Sequence, residues 1–194
     1  LSAPDGPGTV WRKNLDYLMG KLPEDIPLGF YECPYPYKRL IEDDELKYCA
    51  ASGRFSFLKD TCCDAGRIRR RLEIIKGTRL KLYNANTATL LETLGYGAAG
   101  FSGVMANFHP DLYVWLCKNW KTQPQKAKRL QSVLTMCAQI EGQLYPVNAK
   151  TLLQSKKVIA SNWCRIKNRG EMSPLFKKEV EQMDFLASWC KELL

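Results

Sequence analysis

Two residues of this chain have the type and setting for covalent carbonyl chemistry. Lys59 closes the apolar run Phe55-Ser56-Phe57-Leu58-Lys59, and Tyr31 closes the run from Ile26 to Tyr31. A primary amine held among Phe55, Phe57 and Leu58 is expected to be partly desolvated, which favours its neutral, nucleophilic form. Imine formation with a ketone requires that form. A phenol one element earlier suits proton relay while an imine forms or a carbon–carbon bond breaks. Each residue also has an ordinary alternative, a lysine leaving a strand for solvent or an aromatic at the rim of a sheet. Asn84 and the Ser102-Gly103 pair close two further short apolar runs. His109 is the one histidine, so no zinc-type ligand set can be assembled.

The elements that hold these residues alternate in type. The pattern predicts a helix over about 8–22 with Trp11, Leu15, Leu18 and Leu22 buried, and then a strand from Ile26 to Tyr31. Asp43-Asp44 can cap a helix reaching about Ala51, with Gly53 ending it. Strands over Phe55–Lys59, Arg79–Tyr83 and Ala98–Val104 are separated by helices over Asp64–Lys76 and Thr87–Leu94. From Pro110 onward everything reads as helix, with one apolar stripe of Val133, Cys137, Ile140 and Leu144 and another of Phe176, Val180, Met183, Ala187 and Cys190. Such alternation means a parallel sheet with crossover helices. There is no G-x-G-x-x-G after a strand and no G-x-x-x-x-G-K-[ST], which leaves a nucleotide-binding sheet little support. A barrel is the other regular solution, and it keeps its chemistry at the C-terminal ends of the strands. Those ends are Tyr31, Lys59, Asn84 and Ser102.

Composition narrows the class further. Hydrophobic content of 45% and charged content of 25% are those of a globular protein, and no apolar run approaches the roughly 20 residues that span a bilayer. The first residues, Leu1-Ser2-Ala3-Pro4-Asp5-Gly6, resemble no secretory signal and lack an initiator Met, so a processed or truncated start is expected. Eight scattered cysteines, with Cys62-Cys63 the one close pair and no C-x-x-C, fit reduced thiols in a cytoplasmic protein. The net charge of +9 raises nucleic acid as a partner, and its densest part is Arg67-Ile68-Arg69-Arg70-Arg71. Ile68, Leu72 and Ile75 recur there at i, i+4 and i+7, so the arginines are expected to form the solvated face of an amphipathic helix. No aromatic-basic alternation or RNA-binding signature points to nucleic acid.

Four segments together resemble the dihydrodipicolinate synthase/N-acetylneuraminate lyase family. Tyr31-Glu32-Cys33-Pro34 resembles the Y-x-x-P that ends the family's fifth strand. Phe57-Leu58-Lys59-Asp60-Thr61, with its lysine 28 residues after Tyr31, resembles the G-x-K-x-[ST] that ends the sixth. Gly100 to Pro110 resembles the eighth-strand G-x-x-S-x-x-A-N-x-x-P with its serine, Ser102, one place early; Pro146-Val147-Asn148-Ala149-Lys150 resembles the P-x-x-x-K of the tail helices.

The resemblance implies a fold and a chemistry. The fold is α/β, the C-terminal half of a (β/α)8 TIM barrel with additional C-terminal helices: residues 1–110 give four β/α units, and 111–194 the last barrel helix and a helical extension. Lys59 would condense with pyruvate or a 2-oxo acid, and Tyr31 would shuttle protons, with no metal or organic cofactor. Two departures bear on the second substrate. An arginine that recognises a second carboxylate is replaced by Pro36, with Lys38 or Arg39 left to take over, and the acidic G-D-[DE] after strand seven becomes Asn84-Ala85-Asn86. Lys38, Asn84 and Ser102 are the candidate substrate-binding residues. Leu1-Ser2-Ala3-Pro4 resembles the end of strand four, so the expected partners are an N-terminal half of the barrel, further copies of the chain, or both. A barrel-derived protein that binds a small anion or a partner protein without catalysis is the alternative.

Overall fold

The computed structural model describes residues 8–35 and 38–194, with the side chains of Gly8 and Thr9 left aside. Leu1-Ser2-Ala3-Pro4 and Pro36 therefore lie outside the described residues. Two compact units divide the chain, one ending at Ser102 and the other beginning at Gly103.

The first unit is built around a parallel sheet in the order β1 (Leu28–Tyr31), β2 (Phe55–Asp60), β3 (Lys81–Asn84), β4 (Gly100–Phe101). Helices α1 (Gly8–Lys21), α2 (Asp43–Ala51), α3 (Ala65–Ile75) and α4 (Leu90–Tyr96) intervene. Leu58 and Leu82 face these helices and are fully buried against Leu15, Leu46, Cys49 and Ile68. Phe30 stacks on Phe55 with ring centroids 4.1 Å apart, and Trp11 lies 5.9 Å from Phe30. The opposite face carries Tyr31 and Phe57, 51% and 43% exposed. Gly29 belongs to that face, because a Cβ there would lie 2.2 Å from the Phe57 ring. Parallel sheets are ordinarily covered on both faces, so this exposed face is the side that a closed barrel turns inward.

Several boundaries differ from the sequence expectation. Leu18 is exposed; of α1, Trp11 and Leu15 are buried in the core and Met19 packs partly against it. Glu42, not Asp43, is the N-cap of α2, and its N–H donates to Glu45 Oε2 at 3.0 Å. Helix α4 runs past Gly95 to Gly97, whose φ of +105° supplies the left-handed turn. The strand expected over Ala98–Val104 pairs only at Gly100 and Phe101, because Val104–Asn107 has already turned into a 3-10 helix.

The second unit contains α5 (Pro110–Asn119), α6 (Pro124–Cys137), α7 (Val147–Ser155) and α8 (Pro174–Glu192). The expectation of helix throughout is corrected at residues 156–173, where the chain is irregular apart from a short 3-10 turn at Arg169–Glu171. The buried stripe of α6 is Ala127, Leu130, Leu134 and Cys137 rather than the one through Val133, since the α-helix stops at Cys137 and a 3-10 turn shifts the phase. On α8, Val180, Met183, Ala187 and Cys190 are buried as the spacing required.

Candidate active site

Parallel pairing sets Tyr31 beside Lys59, and Lys59 beside Tyr83. These three share the open face, and the Lys59 Nζ lies 4.1 Å from the centroid of the Tyr31 ring. Lys59 is half-buried and Tyr31 is exposed. An ammonium over a phenol face is held by the ring's quadrupole. Tyr83 went unnoticed in the sequence because the polar Asn84 after it looked like the strand end. Counting in twos from Lys59 and its register partner is the signal that picks it out.

The residue after each of these three points the other way, toward the helices, and is a buried polar group. Glu32, Asp60 and Asn84 are 4%, 0% and 0% exposed. Polar groups in such a place need partners, and the chain supplies them. Arg71 of α3 donates to Asp60 Oδ2, to Glu32 Oε1 at 2.7 Å and to the Ile41 carbonyl at 2.7 Å. Glu32 also accepts from the Ile41 N–H at 2.9 Å and the Thr61 N–H at 2.8 Å, and the Thr61 hydroxyl returns a 2.8 Å bond to the Glu32 carbonyl. Burial pushes the Arg71 guanidinium down, but the bond to Glu32 and the charge of Asp60 outweigh it and hold it above its ordinary value.

Arg71 therefore corrects the expectation that the basic run of α3 is a solvated face. Arg69 and Arg70 are exposed, whereas Arg71 is 0% exposed. It stands three residues after Ile68 and four before Ile75, on the buried stripe itself, and only the two carboxylates brought by neighbouring strands make that tolerable.

The remaining candidates are spread around this row. Asn84 is not on the open face: its amide donates to Thr89 Oγ1 at 2.9 Å and Thr93 Oγ1 at 3.0 Å, and its oxygen accepts from the Asn86 N–H at 2.7 Å. It thus shapes the loop after β3. Ser102 is half-buried just past β4, its N–H donating to the Asn84 carbonyl at 2.8 Å. Lys38 is exposed between β1 and α2. Arg39 is engaged elsewhere, paired with both oxygens of Glu45 at 2.5 and 3.0 Å and lying 5.6 Å over Trp11. Burial, then Asp60, pushes the Cys62 thiol up to about 12, so it stays protonated and is a poor nucleophile. In the second unit, His109 is the N-cap residue of α5 and stacks on Tyr113 at 5.7 Å. Among the described residues no His/Cys/Asp/Glu group is arranged to hold a metal ion, and no helix is long and apolar enough to cross a membrane.

Four parallel strands in chain order, each followed by a helix, with an inward face left open, define the C-terminal half of a (β/α)8 barrel carrying additional C-terminal helices. The profile of the Dihydrodipicolinate synthetase family matches residues 48–184, and the chain belongs to that family. No curated protein matches it. Among solved structures it is similar to the chloride-inhibited dihydrodipicolinate synthase of Acinetobacter baumannii complexed with pyruvate, at 17% identity and a TM-score of 0.81, covering 96% of this chain and 63% of that one. It is also similar to a dihydrodipicolinate synthase of Bacillus anthracis (14% identity, TM-score 0.82, 94% and 62% covered). A third likeness is to the Thermotoga maritima enzyme (18% identity, TM-score 0.76, 97% and 63% covered). The chain thus spans about three fifths of the length of the solved relatives it matches, and at these identities the likeness is one of fold.

Proposed function

We propose that the chain carries the reactive lysine of a class I aldolase, lyase or synthase that makes or breaks a carbon–carbon bond on pyruvate or a 2-oxo acid. The observation that carries this is the Lys59–Tyr31 pair, adjacent at the C-terminal ends of neighbouring barrel strands and 4.1 Å apart from amine to ring centroid. The neutral Lys59 amine attacks the ketone carbon, the carbinolamine loses water, and the protonated imine draws in the electron pair released at the adjacent carbon. Tyr31 carries the proton between the carbinolamine oxygen and the reacting carbon. Schiff-base chemistry of this kind uses a lysine in place of a metal. The relative complexed with pyruvate supports a 2-oxo acid as the substrate class.

Residues 1–110 would form the second half of the barrel, and 111–194 its last helix and tail. Activity would then require the barrel's other strands, and a homo-oligomer or a complementing N-terminal half would close the open face. Three buried and five partly or fully accessible free cysteines suit a reducing, cytoplasmic setting. Incubation of the completed barrel with pyruvate and borohydride should add one pyruvate-derived mass to the peptide containing Lys59. An adduct on another residue, or one that survives Lys59→Ala, would remove the proposal. No adduct at all would favour a barrel that binds a small anion or a partner protein without catalysis.

A further inference from the structure

We propose that Arg71 is a positioning residue for the Lys59–Tyr31 pair, acting through the carboxylates behind the sheet. This rests on the function proposed above and adds a residue to it. The physical basis is the two-residue period of a strand. Tyr31 and Lys59 project to the open face, so Glu32 and Asp60, one residue on, project to the helix side. One planar guanidinium bonds both of them, Asp60 Oδ2 and Glu32 Oε1, and also the Ile41 carbonyl. The rigid fork of Arg71 thereby fixes how far apart the last residues of β1 and β2 stand and how each is rotated. Thr61 completes the tie, its N–H on Glu32 Oε2 and its hydroxyl on the Glu32 carbonyl, both at 2.8 Å. Thr61 follows Lys59 by two residues and Glu32 follows Tyr31 by one, so the two Thr61 bonds join the backbones that carry these groups directly, and Arg71 bridges them through Asp60 and Glu32.

The cluster holds two carboxylates and one guanidinium, all with side chains at most 3% exposed. Replacing a whole buried ion cluster of this kind by apolar residues of like volume is often neutral or stabilising, so the cluster is weak evidence of a role in stability. What it supplies here is a distance. A lysine can keep the charge but cannot bond two carboxylates and a carbonyl in one plane, so Arg71→Lys loosens the tie without leaving the acids unpaired.

The test uses the completed barrel, comparing wild type, Arg71→Lys, and the triple variant Glu32→Gln, Asp60→Asn, Arg71→Met, which has no buried charge to strand. Each is read for its fold by near-UV circular dichroism, for the rate of borohydride-trapped pyruvate on Lys59 per folded molecule, and for kcat and KM separately. Both variants should fold, trap pyruvate and turn over roughly 10- to 100-fold more slowly, the range a misplacement of about 1 Å produces. The KM for pyruvate should stay within a few-fold, because Arg71, Glu32 and Asp60 lie behind the sheet and not on the face that holds Lys59 and Tyr31. A purely structural role would leave the rates per folded molecule at the wild-type value, and that result overturns the inference. Loss of the folded state in both variants also counts against it, since Arg71 would then be a folding determinant. If wild type itself is not trapped at Lys59, the proposed function fails first and takes this role with it, an outcome distinct from the other two.

Discussion

Lys59 and Tyr31 are direct register partners on neighbouring parallel strands, and the Lys59 amine lies over the face of the Tyr31 ring at 4.1 Å. The ring therefore limits where the amine can go. Behind them, Glu32 and Asp60 meet at a single guanidinium. A row of candidate reacting groups in front and a row of anchored carboxylates behind follow from one alternation along each strand.

Tyr31→Phe separates the ring from the hydroxyl. It keeps the surface under Lys59 and removes only the proton carrier, so turnover should fall by about 10²–10⁴, the span for a positioned acid–base group. Binding of a pyruvate analogue should change little. Steady-state kinetics beside calorimetric titration decide it, and near-normal turnover would make Tyr31 a packing residue.

Aspartate semialdehyde should be a poor acceptor. The resemblance sets Pro36 at the position expected to hold a carboxylate-binding arginine. Arg39, the nearest guanidinium in sequence, is held by Glu45, which leaves Lys38 as a point charge without a bidentate fork. A screen of pyruvate with varied aldehydes tests this, and efficient use of aspartate semialdehyde would show that Arg39 leaves Glu45 during turnover.

His109 should make the fold sensitive to acid. Its imidazole is lowered to about 4, chiefly by burial, with Asp111 and Asp184 pulling it up and Lys156 pushing it down. An unfolded imidazole takes up its proton near pH 6.5, so between that pH and about 4 the unfolded chain binds the extra proton. Stability is then complete above pH 6.5 and lost as pH falls toward 4, by on the order of 3 kcal/mol at most. His109→Phe keeps the stack on Tyr113 and should flatten the melting temperature across that window. An unchanged pH slope in this variant would assign the acid sensitivity to carboxylates.

A polypeptide of these 194 residues alone should associate. In the described sheet β1 and β4 are the edge strands, and the face holding Tyr31 and Phe57 leaves both rings exposed. Size-exclusion chromatography with light scattering should give masses above 22.2 kDa. A 22.2 kDa monomer with a cooperative melt would mean that the open face is stable in water.

Much of the candidate site's framework was legible in the sequence. The apolar runs ending in Tyr31 and Lys59 marked two strand ends, and four spaced segments resembled one family in the right order. Local pattern suffices for this, because a strand's period and a helix's stripe are properties of neighbouring residues. Three features were not legible, and each depends on residues distant in sequence. Arg71 looked like part of a solvated basic run, and only Glu32 and Asp60, arriving from two other strands, turn it into a buried clamp. Asn84 looked like a strand-end donor, but Thr89 and Thr93 of the following turn and helix take up its amide. Tyr83 looked unremarkable until pairing set it beside Lys59. Sequence by itself determined the alternation of strands and helices in the first unit, but not the irregular stretch at 156–173, where helix was expected, nor the shortness of the strand at Gly100–Phe101. Which side chains face one another across the sheet is set by strand register, and register is fixed only when helices bury one face of every strand at once.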